Sequence, residues 1–245
     1  MEYNLMIENP YKIESKDFCI YASPSLKELA NASFNELKLN TKKILNFFEV
    51  KDFRKVIVIQ FDDRTVFRKF VLSLREPGAH LPEYANGVFD KGMIISFINL
   101  EIIKNKNEFI NRAKINVHEF IHIVNREKIY KKRVIWLDEG LATNLDGERD
   151  YLKENDKFVK FIRTKILNVK SLPVMNDLSH RGGGFKQEFY DGYDLVYFSV
   201  RFLLETYSKD KILKILKDYD LSMEIGKNIL QDAIDYYKSK FNLEF

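Results

Sequence analysis

The segment His118-Glu119-Phe120-Ile121-His122 constrains the fold of this 245-residue chain more than any other stretch. An α-helix has about 3.6 residues per turn, so residues four apart share a face and both imidazoles can reach one metal ion. Glu119 is about 100° around the helix from His118, so it misses the metal and still reaches a water molecule bound there. This five-residue pattern on a helix is a signature of zinc peptidases. The sequence therefore predicts a helix that carries two metal ligands and a general base.

The residues around this motif predict that its helix is largely buried. Apolar side chains fall on most of its faces, at Phe109, Ile110, Ile115, Val117, Phe120, Ile121, Ile123 and Val124. Polar side chains in a buried helix need partners, and two of the four histidines of the chain lie in this one motif. A metal is therefore favoured over a helix with two solvated polar residues. Asn105 and Glu108 have the spacing of a capping box, so the helix is expected from about Lys106 to Arg126.

A third ligand is expected from a later segment, because catalytic zinc sites commonly have three protein ligands and leave one position for water. The stretch Trp136-Leu137-Asp138-Glu139-Gly140-Leu141-Ala142 supplies a candidate, Glu139, which follows His122 by 17 positions. A gap of that size lets the chain turn and bring a second helix alongside the first. The small residues Gly140 and Ala142 would let two helices approach closely.

Together, HEFIH and WLDEGLA resemble the gluzincins, the zinc peptidases that include thermolysin and the aminopeptidase N group. They are most similar to the short proteins called peptidase-MA-like. In that superfamily the second motif often reads W-x-x-E-G-x-A, and its Glu is the third zinc ligand. The resemblance is strong over residues 115–146 and weaker over 25–220. It implies zinc held by His118, His122 and Glu139, with Glu119 as the general base of peptide-bond hydrolysis.

The resemblance also implies two further residues, each with an open alternative. In the aminopeptidase branch an acid seven positions after the ligand Glu supports a zinc-bound histidine, and Asp146 stands there. A surface acid at a helix end is the alternative. The same branch uses a downstream tyrosine to stabilise the oxyanion, which corresponds to Tyr193, or else Tyr190. A phenol can donate that hydrogen bond, but a tyrosine that merely packs is also expected in a chain with 13 of them.

One strand departs from the aminopeptidase pattern. Aminopeptidases carry a GxMEN-like strand whose Glu holds the free amine of the substrate. The corresponding strand here is expected at Gly92–Ile98, where no acid occurs. This departure puts aminopeptidase specificity in doubt and favours an endopeptidase, or an enzyme whose cleavage site does not follow from the sequence. We expect that this strand could still pair with an extended substrate as an added edge strand.

The order of predicted elements is mixed α and β first and helices last, which predicts an α+β fold. We expect one zincin-like peptidase domain over 1–245, with a small strand-bearing lobe (1–104) and a helical lobe (105–245) joined at the active-site helix. The predicted strands are Asp17–Tyr21, Lys55–Phe61 and Gly92–Asn99. The other predicted helices are Ser25–Phe48, Arg64–Leu74, Leu137–Asp146, Tyr151–Leu167, Tyr190–Tyr207, Lys209–Lys217 and Ile225–Lys240.

Composition excludes several other classes of protein. The net charge of +4 is small, and Lys131-Lys132-Arg133 is interpreted as solvated surface, so nucleic-acid binding is not expected. The single cysteine, Cys19, is expected in a strand and forms no intramolecular disulfide. No signal peptide and no membrane span is seen, which favours a cytoplasmic protein. The abundance of Lys, Asn and Ile suggests a bacterial source.

The remaining polar and glycine residues carry weaker expectations. His80 and His180 are expected on the surface, because each lies in a loop with Pro or Gly nearby. The run Gly182-Gly183-Gly184 is interpreted as a hinge or lid rather than a phosphate loop.

Two alternative functions stay open. The first is a zinc-containing binding or regulatory protein on the same scaffold that no longer cleaves, which the missing amine-binding acid and the small size favour. The intact Glu119 opposes it. The second is a toxin-like peptidase with one narrow protein target. The substrate, the regulation and the oligomeric state do not follow from the sequence.

Overall fold

The computed structural model describes residues 6–83, 85–178 and 184–243. Contacts within the chain divide it into two compact units, Met1–Ile123 and Val124–Phe245. The described part is α+β, as the order of elements predicts. The expected lobe boundary near residue 105 and the zincin-like arrangement stay predictions. Among the described residues, no helix combines the length and the hydropathy that crossing a bilayer requires.

The first unit contains a five-stranded sheet with the order β1-β2-β3-β5-β4. Its strands are β1 (Tyr11–Glu14), β2 (Phe18–Ala22), β3 (Val56–Phe61), β4 (Gly87–Asp90) and β5 (Met93–Phe97). The inner strands β2, β3 and β5 are parallel, whereas β1 and β4 pair antiparallel with their neighbours. The inner strands are almost wholly apolar, as expected for strands that are covered on both faces. Cys19 lies buried in β2, in agreement with its predicted place in a strand.

Helices cover both faces of this sheet. They are α1 (Lys27–Phe47), α2 (Arg64–Ser73) and α3 (Lys106–Val124). Successive side chains of a strand point to opposite faces. Gln60 of β3 donates from Nε2 to the Ser33 hydroxyl of α1 at 2.9 Å, whereas its neighbours Ile59 and Phe61 pack with Phe67 of α2. Helices α1 and α2 therefore lie on opposite faces of the sheet.

The second unit is built around helices. They are α4 (Ile135–Leu145), α5 (Asn155–Phe161), α6 (Gly192–Thr206), α7 (Lys209–Lys217), α8 (Tyr219–Ile225) and α9 (Ile229–Phe241). Aromatic rings of α5, α6 and α9 form its core: the Tyr237 ring centroid lies 5.0 Å from that of Phe158 and 5.1 Å from that of Phe198. Large apolar areas are buried in this way, which stabilises the unit.

The long helices expected near the C-terminus are interrupted. The segment predicted as Tyr151–Leu167 consists of a 3₁₀ turn (Asp150–Lys153), α5 and a π-helical turn (Ile162–Ile166). The segment predicted as Ile225–Lys240 contains a break, because α8 ends at Ile225 and α9 begins only at Ile229. Periodicity cannot place such breaks, since a π turn changes the phase of the apolar face without a change in composition. Strands β1 and β4 and helix α8 were not predicted.

Candidate metal centre

Helix α3 carries the first motif and begins at the predicted cap. The Asn105 side chain accepts a hydrogen bond from the Glu108 backbone N–H at 3.0 Å, and its amide donates to the Glu108 carboxylate at 3.0 Å. The same carboxylate accepts from the Lys104 backbone N–H at 2.7 Å. These bonds satisfy amide groups that a helix start otherwise leaves without partners. The predicted helix start is confirmed. The regular helix ends at Val124, and a π-helical turn, Asn125–Ile129, follows.

The two histidines of the motif lie on one face of α3, as their spacing predicts. Their ring centroids are 4.8 Å apart and the ring planes make an angle of 79°. His122 is buried and His118 is partly exposed. Phe120, between them in sequence, packs edge-on against Phe18 and Phe53, with centroids 5.4 and 5.7 Å away. This aromatic contact fixes the rotation of α3 against the sheet.

Glu119 lies beside the first residue of strand β4. A methyl group on the Gly87 Cα would stand 2.8 Å from Glu119 Oε1 and 3.4 Å from its Cδ. The carboxylate therefore occupies the space that a side chain at position 87 would need. No sequence argument singled out Gly87, because Asn86-Gly87 looks like a turn and lies 32 positions before Glu119.

The position of strand β4 in the sheet shows that one prediction was wrong. The segment Gly92–Ile98 was expected to be available as an edge strand, but β5 lies between β3 and β4 and pairs with both. In the described part of the chain, β4 is the strand at this edge of the sheet. Its one carboxylate, Asp90, forms an ion pair with Arg75.

Helix α4 carries Glu139 and its neighbour Asp138, and both carboxylates are almost fully buried, at 4% and 1% exposure. Arg133 contacts both: its Nη2 donates to Glu139 Oε1 at 2.7 Å and its Nε to Asp138 Oδ2 at 2.6 Å. Burial would lower the pKa of Arg133, but the two carboxylates raise it further above its usual range. Arg133 therefore remains a cation at any physiological pH.

All three residues of Lys131-Lys132-Arg133 are exposed, as predicted. Arg133 in addition forms ion pairs with two buried acids, which the interpretation as solvated surface did not include. A sequence signal existed, since Arg133 comes five and six positions before Asp138 and Glu139 and immediately before α4. That spacing alone does not fix a contact.

Gly140 lies at a close contact between α4 and α6, whereas the sequence argument concerned the approach of this helix to the one that carries His118 and His122. A methyl group at Gly140 would lie 2.7 Å from the Val196 carbonyl oxygen and closer still to a Val200 methyl. Asn144, one turn further along α4, donates to the Tyr197 carbonyl at 3.0 Å. Helix α4 is therefore held tightly against α6, which fixes the helix that presents Glu139.

His118 and His122 of α3, in the first unit, and Glu139 of α4, in the second, are residues that could hold a metal ion. Two imidazoles and one carboxylate are a donor set that zinc uses in catalytic sites with three protein ligands. The residue types therefore fit zinc.

Asp146, the acid predicted to support a zinc-bound histidine, directly follows the last residue of α4. It is only 1% exposed, so the alternative of a surface acid at a helix end is wrong. Its Oδ1 accepts from the Glu148 backbone N–H at 2.8 Å. Its predicted support of a zinc-bound histidine stays a prediction.

Tyr193 lies in the first turn of α6. Its backbone N–H donates to the Asp191 carboxylate at 2.9 Å, which caps the helix. Its ring packs against Phe185, with centroids 4.8 Å apart, and lies under the Lys186 ammonium. Tyr190 precedes the helix, and burial together with the charge of Asp177 raises its pKa. The choice between Tyr193 and Tyr190 stays open.

His80 is exposed, as predicted. His180, Gly182 and Gly183 lie outside the described residues, so the predicted surface position and the predicted hinge are not described.

No family model matches the chain, and no curated protein matches it. Among solved structures, an aminopeptidase N family protein from Idiomarina loihiensis matches at 11% identity, with a TM-score of 0.49. The match covers 96% of this chain and 44% of that one, so the chain spans less than half of that protein. A likeness of this size carries no argument about activity.

Proposed function

We propose that the protein is a zinc-dependent peptidase that hydrolyses internal peptide bonds. The observation that carries the proposal is the group of His118, His122 and Glu139, with Glu119 next to a ligand and outside the group. A purely structural zinc site has four protein ligands and has no use for a neighbouring carboxylate. Three ligands with an adjacent base are the arrangement that hydrolysis requires.

In this proposal His118, His122 and Glu139 hold the zinc ion. When bound, zinc polarises the scissile carbonyl group and lowers the pKa of a water molecule. The nearly complete burial of His122 and Glu139 limits competition from solvent, and electrostatic interactions are stronger where water is excluded.

Glu119 acts as the proton carrier. Its carboxylate accepts a proton from the attacking water and then delivers it to the nitrogen of the leaving amine, so the residue ends the cycle ionised as it began. Its position against Gly87 supports this role, because the strand backbone restricts where the carboxylate can lie.

Tyr193 is our candidate for stabilising the oxyanion, with Tyr190 as the alternative. A phenolic O–H donates a hydrogen bond to the negative charge that develops on the carbonyl oxygen. The packing of the Tyr193 ring against Phe185 restricts its orientation.

Strand β4 is our candidate for binding the substrate. An edge strand can pair with an extended peptide through its main chain, and this edge begins at Gly87, next to Glu119. Asp90 is the one carboxylate of β4 and is held by Arg75. No acid of β4 or β5 is thus left to hold the terminal amine of a substrate, which supports internal cleavage.

The test measures zinc content and cleavage in the same preparations. Wild type and Glu139→Ala are purified without added metal, and each is incubated with an unstructured protein whose fragments are identified by mass spectrometry. We expect about one zinc per chain and internal cuts in wild type, both lost in the variant. A chelator should stop cleavage and added zinc should restore it. Folded wild type that binds no zinc would rule out the proposal, and zinc without cleavage of any substrate would favour a binding or regulatory protein.

A further inference from the structure

Strand β4 is a short strand at the edge of the sheet. It has four residues, Gly87–Asp90, and among the described strands it pairs with β5 alone. A strand of this length that is paired on one side forms few ladder hydrogen bonds. Contacts besides the ladder are therefore needed to fix its position, and helix α2 supplies them.

Helix α2 packs on one face of β4, opposite the face that contacts Glu119. Successive side chains of a strand point to opposite faces. Val88 packs on the apolar cluster that contains Phe67 of α2, whereas Gly87, the residue before it, lies against Glu119. Asp90 is two residues after Val88 and shares its face. Helix α2 therefore holds β4 from the face that does not contact the proposed base.

Arg64, the first residue of α2, holds the beginning of β4. Its Nη1 donates to Asn86 Oδ1 at 3.1 Å, and its guanidinium carbon lies 5.3 Å from the centroid of the Phe97 ring. Asn86 immediately precedes β4, and its carbonyl oxygen accepts from the Phe97 backbone N–H at 2.7 Å. One arginine thus contacts both residues of the backbone hydrogen bond that flanks the β4–β5 ladder.

Arg75, two residues beyond the end of α2, holds the other end of β4. Its guanidinium forms an ion pair with Asp90, the last residue of the strand. The two side chains are only 24% and 17% exposed, so salt screens this pair less than a surface pair. Arg75 Nη1 also donates to the His80 carbonyl oxygen at 3.0 Å, in the loop that leads to β4. Each end of β4 is therefore bound by an arginine at or just beyond an end of α2.

We propose that Arg64 and Arg75 are positioning residues for substrate binding, because they fix β4 in the place from which it pairs with an extended peptide. The inference rests on the proposed function, in which β4 binds the substrate through its main chain. It adds the two residues that make this edge a preformed template rather than a strand that becomes ordered on binding. A preformed surface loses less conformational entropy when its ligand arrives.

The alternative is that the two arginines only stabilise the fold. The two roles predict different kinetic changes. If β4 occupies its binding position in only a fraction of the molecules, the apparent affinity for substrate falls by that fraction and the complex, once formed, is unchanged. KM then rises and kcat stays the same. A loss of folded protein instead lowers the number of active molecules, so the maximal rate falls and KM stays the same.

The experiment compares Arg64→Met, Arg75→Met and Asp90→Asn with wild type. Methionine removes the charge and the donors, whereas asparagine keeps the shape of Asp90 and removes its charge. Lys69→Met is the matched control, because Lys69 is an exposed cation in the middle of α2.

Three quantities are measured on each protein. The zinc-loaded form is assayed for kcat and KM on one peptide that spans an internal cut made by wild type. The urea midpoint reports global stability. Amide hydrogen exchange, followed by mass spectrometry on the metal-free form, reports the opening of residues 86–90 without any need for cleavage.

We expect KM to rise about 3- to 10-fold in Arg64→Met and in Arg75→Met, with kcat within about twofold of wild type. This rise corresponds to β4 in place in about a third to a tenth of the molecules. KM should rise by a smaller factor in Asp90→Asn and stay unchanged in Lys69→Met. The amides of residues 86–90 should exchange faster in both methionine variants of the arginines, while β3 keeps its protection.

Other results would overturn the inference. An unchanged KM with a lower maximal rate in Arg64→Met and Arg75→Met would show that the arginines only stabilise the fold, and the proposed function would stand. Unchanged exchange at residues 86–90 would show that they do not hold β4. If an arginine variant does not fold, Asp90→Asn decides, because a wild-type KM and wild-type exchange in that variant would remove the positioning role. A wild type that binds zinc and cuts no peptide would overturn the proposed function and the substrate role of both arginines together.

Discussion

The Glu119 carboxylate lies against the backbone of Gly87, at a distance where a single added methyl group would stand 2.8 Å from Oε1. The same methyl would lie 3.0 Å from an Ile115 methyl of α3. The space beside this glycine is therefore filled by the side chain that we assign as the base. This contact makes the position of the base testable without a change in the base itself.

Gly87→Ala should slow peptide cleavage while zinc binding stays normal. The new methyl group must displace the Glu119 carboxylate, because it would stand only 2.8 Å from Oε1 and 3.0 Å from an Ile115 methyl group, its other close contact. A misplacement of about 1 Å at a catalytic group can cost about 100-fold in rate, so we expect kcat to fall by up to that factor. The measurement is kcat and KM on one cleaved peptide, with zinc affinity from chelator competition.

Gly78→Ala is the control for this substitution. Nothing lies within 4 Å of a methyl group at Gly78, although its φ of +81° costs some backbone strain. The stability of the Gly78→Ala variant should fall slightly, and its kcat should not change. Equal activity of Gly87→Ala and wild type would contradict the placement of Glu119 against β4.

Glu119→Gln should separate metal binding from chemistry. The amide has the size of the carboxylate but cannot accept the proton of water, and Glu119 is not among the proposed ligands. We expect about one zinc per chain, as in wild type, and a rate lower by about 10²- to 10⁴-fold, the usual contribution of a general base. Mass-spectrometric cleavage assays on the zinc-loaded variant measure the rate.

The exposed carboxylate of Glu127, eight positions later, gives a matched control. Glu127→Gln makes the same chemical change away from the motif and should cleave like wild type. Normal turnover of Glu119→Gln would remove Glu119 from its assigned role.

Gly140→Ala should destabilise the protein through the contact between α4 and α6. The added methyl group meets the Val196 carbonyl oxygen at 2.7 Å and a Val200 methyl at a shorter distance. Overpacking of this kind costs about 1–3 kcal/mol, which outweighs the gain in helix propensity of about 1 kcal/mol. Urea unfolding gives the free energy.

The double variant Gly140→Ala/Val200→Ala identifies the cause. Removing the Val200 methyl groups relieves one clash but not the other, so the loss should be smaller than the sum of the two single losses. Additive losses would show that the α4–α6 contact is not the source.

The parts of the candidate site that follow from the sequence are the local ones. The capping pair Asn105 and Glu108 and the shared face of His118 and His122 depend on spacings of three and four residues, and the helix geometry fixes both. The residues that the sequence did not reveal are distant from the motif in sequence and reach it only through tertiary contacts. Gly87 matters because β4 pairs with β5 and lies beside α3, and no local pattern contains that information.

The fold class also follows from the sequence, because it depends on local patterns of apolar residues. Strands β2, β3 and β5 are buried apolar runs and were predicted within a residue or two. Strand β4 was missed, because Gly-Val-Phe-Asp has one glycine and one acid in four residues and reads as part of a loop. It becomes a strand through pairing with β5, so only tertiary structure could reveal the true edge of the sheet.

A buried polar network sets the position of α3 against the sheet and gives the last prediction. The Ser33 hydroxyl of α1 accepts from Gln60 Nε2 at 2.9 Å and from Asn116 Nδ2 at 3.0 Å, and Ser96 donates to Asn116 Oδ1 at 3.3 Å. All four residues are fully buried. Asn116 stands two positions before His118, so this network restrains the helix that carries the motif.

Ser33→Ala should therefore cost about 1–3 kcal/mol of stability, because two buried donors lose their common acceptor and a single methyl group cannot replace it. Urea unfolding measures the loss. Ser73→Ala is the matched control, since Ser73 is exposed and its hydroxyl donates only to the Phe70 carbonyl within the last turn of α2, and its effect should stay within about 0.5 kcal/mol. If Ser33→Ala is as stable as wild type, the network does not restrain α3, and the packing of Phe120 against Phe18 and Phe53 is sufficient to hold the helix.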